Sequence, residues 1–138
     1  DGEPIGIHRT YISQDGRKAD VEPVKASLGP IWGGAIRLMD LDPGKPLVLA
    51  EGIETAASAS LLLGWPAWAA ISAGNLAEGL ALPAEARRVA IARDPDGPGW
   101  RAARDAWNRF RADRRDVTIA TPTGPGDFND TLMARGDA

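Results

Sequence analysis

Four short apolar runs, separated by helix-forming segments, most constrain how this chain folds. Pro46-Leu47-Val48-Leu49-Ala50, Ala67-Trp68-Ala69-Ala70-Ile71-Ser72, Arg88-Val89-Ala90-Ile91-Ala92-Arg93 and Val117-Thr118-Ile119-Ala120 read as buried strands. Between them, Glu54 to Leu63 is a run of good helix formers stopped by Gly64 and Pro66, and Asn75 to Leu82 is a short helix ahead of Pro83. Trp100, Ala103, Trp107 and Phe110 repeat at helical spacing and define one apolar face, so the tryptophans read as core; Phe128 to Arg135 is a last short helix. Strands alternating with helices imply a parallel sheet with right-handed crossovers. Residues 1–45 are different, rich in glycine, proline and charge. There Ile7 to Ile12 alternates like a strand, Asp15-Gly16 is a hairpin-turn signal, and Gly34 to Leu38 is a further strand candidate. Asp42-Pro43-Gly44 closes that part as a turn. The organisation is therefore a β-rich segment, 1–45, followed by an α/β domain, 46–138.

In open parallel sheets, ligands bind outside the carboxyl ends of the strands. Glu51-Gly52 follows the first α/β strand, and Asp94-Pro95-Asp96-Gly97-Pro98-Gly99 follows the third. One glutamate and two aspartates thus point to one crevice, where they repel one another unless a cation lies among them. All-oxygen, carboxylate-rich sites suit Mg²⁺ or Mn²⁺, the ions of phosphoryl chemistry. Taken singly, each string has a plainer meaning. Asp-Pro-Asp-Gly-Pro-Gly is good turn chemistry, and Glu51 suits a helix start. Gly97-x-Gly99-x-x-Ala102 imitates a dinucleotide fingerprint, yet Asp94 and Asp96 would then face a pyrophosphate without a cation.

Composition narrows the classes. The chain has 138 residues, no cysteine and one histidine, which excludes disulfides and cysteine-ligated zinc and disfavours a Ser-His-Asp triad. No apolar run approaches the roughly 18 residues of a spanning helix, so no membrane is expected, and the missing cysteines fit a cytoplasmic protein. The net charge is −3, but residues 84–115 carry nine arginines against five acids. That stretch is either a solvated helix face or one that contacts phosphates, with Arg101 and Arg104 one turn apart just beyond Gly99.

Glu51-Gly52-Ile53-Glu54-Thr55-Ala56, Ile71-Ser72-Ala73-Gly74-Asn75-Leu76, Asp94-x-Asp96-x-x-Gly99 and Gly126-Asp127-Phe128-Asn129-Asp130 occur in that order. Together they resemble the Toprim domain, in the form found in phage- and plasmid-type primase/helicase proteins. The resemblance covers residues 46–136 and extends more loosely to the β-rich segment before it. It implies a compact α/β fold with a four-stranded, mostly parallel sheet flanked by helices, and Mg²⁺-dependent making or breaking of phosphodiester bonds. Pro95 and Pro98 depart from the polar or small residues expected in the third motif; they stiffen the turn and keep both carboxylates.

On this reading Asp94 and Asp96 hold one or two Mg²⁺ ions, and Glu51 is general base or a further ligand. Glu54, one helical turn on, supports the acids that hold the ion or is simply solvated. Ser72, Gly74 and Asn75 offer donors to a nucleotide phosphate or simply cap a helix, and Gly99 lets a phosphate approach the backbone. Asp127 orients a ligand or a basic residue, and Asp130 lies near it or only caps the last helix. Arg101 and Arg104 contact nucleic acid. The expected function is primase-type nucleotidyl transfer from nucleoside triphosphates on single-stranded DNA, within a larger protein carrying further domains such as a helicase. Nuclease- or topoisomerase-like cleavage and a non-catalytic scaffold are the alternatives. The only tyrosine, Tyr11, falls in a strand candidate of the β-rich segment, so strand passage would need a separate domain. No P-loop string is present in this sequence.

Overall fold

Strand β4 (Leu47–Ala50) is buried along its whole length, as befits a continuous apolar run covered on both faces. This computed structural model describes residues 2–136, which fall into two units, one up to Trp32 and one from Gly33 onward. In the first unit, β1 (Ile7–Thr10) pairs antiparallel with β2 (Lys25–Leu28). The turn expected at Asp15-Gly16 forms within Ser13–Arg17, flanked by a bridge between Ile12 and Lys18.

The second unit contains β3 (Ile36–Arg37), β4, α1 (Ile53–Leu63), β5 (Ala67–Ala69), a π-helical turn (Asn75–Gly79), β6 (Arg88–Ala92), α2 (Gly97–Ala112), β7 (Asp116–Ala120) and α3 (Phe128–Gly136). Its sheet has the order β3-β5-β4-β6-β7. The four strands β5, β4, β6 and β7 are parallel, as expected, and β3 adds a two-residue antiparallel edge beside β5. The segment Gly34–Leu38, assigned from sequence to the N-terminal part, therefore belongs to the main sheet.

Alternation along β4 sorts the core into two layers. Leu47 and Leu49 pack with Leu76, Leu80, Ile91, Ala103, Ala106 and Phe110, the side covered by α2 and the π-turn. Val48 and Ala50 pack with Ala56, Ala59, Ala67, Ala69, Ala92 and Phe128, the side covered by α1 and α3. The alanine-rich second layer lets α1 lie close against the sheet. From β4 the chain crosses by α1 to β5 on one side, and β6 then lies on the other side of β4. The strand order thus reverses between β4 and β6, the place where ligands bind in open α/β sheets.

Two arginines from the basic stretch hold the π-turn and the irregular segment between it and β6. Arg109 donates to the carbonyls of Leu76, Ala77 and Leu80 at 3.2, 2.9 and 3.0 Å, and burial lowers its pKa from the ordinary arginine value. Arg115 donates to Leu82, Pro83 and Ala86. Arg115 therefore does not continue a solvated or phosphate-facing surface; it replaces the partners that a non-repeating backbone lacks. Trp107 fits the expectation of a core residue, half-buried with its indole N–H donated to the Val117 carbonyl at 3.2 Å. Trp100 does not: on the first turn of α2, it is 47% exposed. Among the described residues, no helix is long and apolar enough to cross a membrane.

Candidate active site

The carboxyl ends of β4 and β6 lie side by side, with Ala50 opposite Ala92 in the parallel register. Glu51 leaves β4 directly, and Asp94 follows two residues beyond the end of β6, so both emerge at the reversal point. Glu51 is held in the sheet's continuation, its carbonyl accepting from the Ile71 N–H at 2.8 Å. Ile71 has φ of 75°, a left-handed conformation that a β-branched residue adopts only under strain. That strain sits at the exit of β5, on the rim of the same crevice.

Asp94 is half-buried, and Thr55 in the first turn of α1 donates its hydroxyl to the Asp94 Oδ1 at 2.9 Å. Thr55 is itself 8% exposed, so this bond ties the β4–α1 turn to the β6–α2 loop across the crevice. It is a site contact that sequence reasoning missed. The only signal was a hydroxyl residue inside the first motif, four positions after Glu51.

Asp96 is the N-cap of α2, its Oδ1 accepting from the Gly99 N–H at 2.6 Å. A Cβ on Gly99 would lie 2.8 Å from that oxygen and 3.0 Å from the Asp94 Cβ and carbonyl oxygen. Gly99 is therefore required by the closeness of the acidic loop. Its amide is bonded to Asp96, so its N–H is engaged within the loop. Asp96→Ala should cost about 1 kcal/mol through the lost cap, whereas Asp96→Asn, which keeps an acceptor, should cost only a few tenths. Urea unfolding of the two variants checks this; equal losses would show that the cap bond carries no stability.

The remaining candidates divide. Asn75 is fully buried, accepts from the Gly33 N–H at 2.8 Å and donates to the Gly34 and Ala70 carbonyls at 2.9 and 2.8 Å. An amide so occupied cannot also bind a nucleotide, so the expected phosphate-binding role is corrected to an internal tie among loop segments. Ser72 accepts from the Asn75 N–H at 3.2 Å, and Gly74 is exposed with ordinary right-handed helical angles. Glu54 lies in the first turn of α1 with its carboxylate near Gly52.

Asp127 and Asp130 form a reciprocal capping box on α3. The Asp127 N–H donates to the Asp130 Oδ2 at 3.0 Å, and the Asp130 N–H to the Asp127 Oδ1 at 2.9 Å. Gly126, at φ 88°, leaves room for it, since a Cβ there would run into the Asp130 carboxylate. The helix-capping alternative for Asp130 is thus what the structure gives. Asp127 shares that task, its Oδ1 accepting the Asp130 N–H. Arg101 and Arg104 are exposed on α2, and Arg104 pairs with Asp105 at 3.4 Å.

Among the described residues, no three acidic or histidine side chains converge closely enough to form a preassembled cation site. The expected trio of Glu51, Asp94 and Asp96 is brought to one crevice by the strand ends but is not drawn into a closed cluster. The donor chemistry nevertheless fits Mg²⁺, which keeps several waters and takes one or two carboxylates plus substrate phosphates. Asp94 and Asp96 sit in a loop stiffened by Pro95 and Pro98 and pinned by Thr55 and Gly99.

The Toprim domain model matches residues 46–138, two thirds of the sequence. The chain belongs to the Toprim family. Toprim membership places it in nucleic-acid metabolism of the primase and topoisomerase type. A second model, a domain of unknown function (DUF7146), matches residues 1–38. The structure is also similar to the primase fragment of the bacteriophage T7 primase-helicase protein, with a TM-score of 0.64 at 17% identity. That likeness covers 96% of this chain and 59% of the T7 fragment, and at such identity it establishes the fold alone. Comparison with curated proteins finds no match.

Proposed function

We propose that this Toprim chain carries the catalytic core of a primase-type nucleotidyltransferase, making short RNA primers on single-stranded DNA within a longer replication protein of the cytoplasm. The observation that supports it most is the pairing of Glu51 and the Asp94–Asp96 loop at the strand-order reversal of a Toprim fold. Asp94 and Asp96 would hold Mg²⁺, which when bound offsets the charge of phosphate oxygens and stabilises the attacking and leaving oxygens of an in-line displacement. Glu51 accepts the proton of the attacking 3′-hydroxyl as that oxygen bonds to the α-phosphorus and pyrophosphate departs. Thr55 keeps the Asp94 carboxylate oriented. Partners on this reading are nucleoside triphosphates, a single DNA strand and further domains such as a helicase.

Incubation with labelled nucleoside triphosphates, single-stranded DNA and Mg²⁺ tests the reading. Ribonucleotide products that lengthen with time are expected; shortened DNA with no such products would move the chain to strand cleavage, and neither product would leave a binding scaffold.

Arg101 and Arg104 lie on the helix that starts at the acidic loop, suited to the strand's backbone. Arg101→Ala with Arg104→Ala should weaken binding of all single strands alike. It should also reduce the slope of log affinity against log salt by about 1.4, two contacts at roughly 0.7 each. Fluorescence anisotropy over a salt series measures it, and an unchanged slope would return this face to plain solvated surface.

A further inference from the structure

The acidic loop is bordered by an aromatic residue that stands half in water. Trp100 is the fourth residue of α2, its N–H donating to the Asp96 carbonyl at 3.0 Å, so its ring is rooted one turn from the cap. It shares a helical stripe with Ala103, Trp107 and Phe110, yet those enter the core or its margin while Trp100 remains 47% exposed. The Arg93 guanidinium lies over its ring, 5.0 Å from the centroid. Arg93 in turn donates from Nη1 to the Asp94 carbonyl at 3.3 Å, and its Nε is sealed from solvent with no hydrogen-bond partner. A planar cation is thus fixed between the acidic loop and an indole. Arg101 adds a second guanidinium at this end of α2, its Nη1 within 3.6 Å of where a Cβ on Gly97 would stand.

An exposed cation–π pair contributes only about 0.5–1 kcal/mol, which is little return for leaving half an indole in water. Aromatic rings set among arginines are, by contrast, what single-stranded nucleic acids stack on. We propose that Trp100, backed by Arg93, is a stacking platform for a nucleobase whose phosphate lies toward the acidic loop. This rests on the reading of the chain as a nucleic-acid enzyme and deepens it. The base recognised belongs either to the DNA strand or to a nucleoside triphosphate; both present the same π-face beside a phosphate.

The test uses fluorescence anisotropy with an oligothymidylate of about eight nucleotides, within the span of one single-strand site, and the same strand with one central abasic residue. A parallel calorimetric titration uses ATP. Trp100→Leu should weaken one probe about tenfold, within the range of one stacked base, while Trp100→Phe stays within about threefold of wild type. If the base is the strand's, the oligothymidylate is the weakened probe, and the abasic change weakens wild type but not Trp100→Leu. If it is the triphosphate's, ATP is the weakened probe. The exposed ring should leave urea stability within about 1 kcal/mol. If Trp100→Leu unfolds, the wild-type abasic comparison and Arg93→Gln, expected to weaken the same probe about threefold, decide the matter. Trp100→Leu binding both probes as wild type does would overturn the platform. Primer synthesis by wild type would then still stand, whereas no primer synthesis together with weakened binding by Trp100→Leu would overturn the primase reading and spare the platform.

Discussion

Replacing Glu51 with glutamine is expected to slow primer synthesis by roughly 10²–10⁴-fold, the usual contribution of a positioned general base. The amide keeps the shape of the side chain but cannot take a proton from the attacking hydroxyl. Because Glu51 leaves β4 at its buried end and its backbone is already bonded to Ile71, the exchange should not disturb the sheet. Binding of single-stranded DNA should stay within about threefold, less than a full decade of affinity. Single-turnover extension assays beside anisotropy separate the two effects. Equal losses in both would make Glu51 a binding residue, and no loss in either would remove it from the chemistry.

The largest effect on stability should come from Asn75→Ala. This amide is fully buried and satisfies the Gly33 N–H and the Gly34 and Ala70 carbonyls at once. Truncation leaves the buried Ala70 carbonyl and two half-buried groups, the Gly33 N–H and the Gly34 carbonyl, without partners, at up to about 1–3 kcal/mol each, so a loss of about 3–5 kcal/mol is expected. That is a large share of the roughly 5–15 kcal/mol that holds a domain folded. Ser72→Ala, which removes one 3.2 Å bond from the Asn75 N–H, should cost about 1 kcal/mol. Urea unfolding of both variants ranks them; a loss under about 1 kcal/mol for Asn75→Ala would mean that the three groups reach water.

The parallel strands were legible because burial on both faces leaves a mark in the sequence. Leu47–Ala50 and Val89–Ala92 are unbroken apolar runs, and their order with the intervening helices led to the right architecture. The antiparallel pieces carry a weaker mark: β1 and β3 fall within strand candidates, and β2 does not. Lys25-Ala26-Ser27-Leu28 is short, mixed in polarity and half-exposed, with no pattern that marks β2 as a strand. Ile36-Arg37 is a strand only because β5, some thirty residues later, offers an edge.

At the site, residue type and spacing located the strand-end acids but could not tell which polar groups were already spoken for. An asparagine after a strand suggests a phosphate donor until its burial is known. Asp127 and Asp130, three apart, suggest acids supporting the site as readily as a helix cap until each is seen to accept the other's N–H. Arginine counts overstated the exposed charge, because the partners of Arg109 and Arg115 are carbonyls brought from the preceding irregular segment. Trp100 has the same helical spacing as the core residues beyond it, and only its position on the first turn of α2 puts it in water.

The most direct measurement is calorimetric titration of Mn²⁺ or Mg²⁺ into the wild type and into the Asp94→Ala/Asp96→Ala variant, after urea unfolding has confirmed that the variant folds. The strand-end acids should bind the ion weakly in the wild type, with waters completing its shell, and the double variant should show no saturable heat. Equal heats in both proteins would contradict a cation site at the end of β6, and with it the phosphodiester chemistry assigned to this crevice.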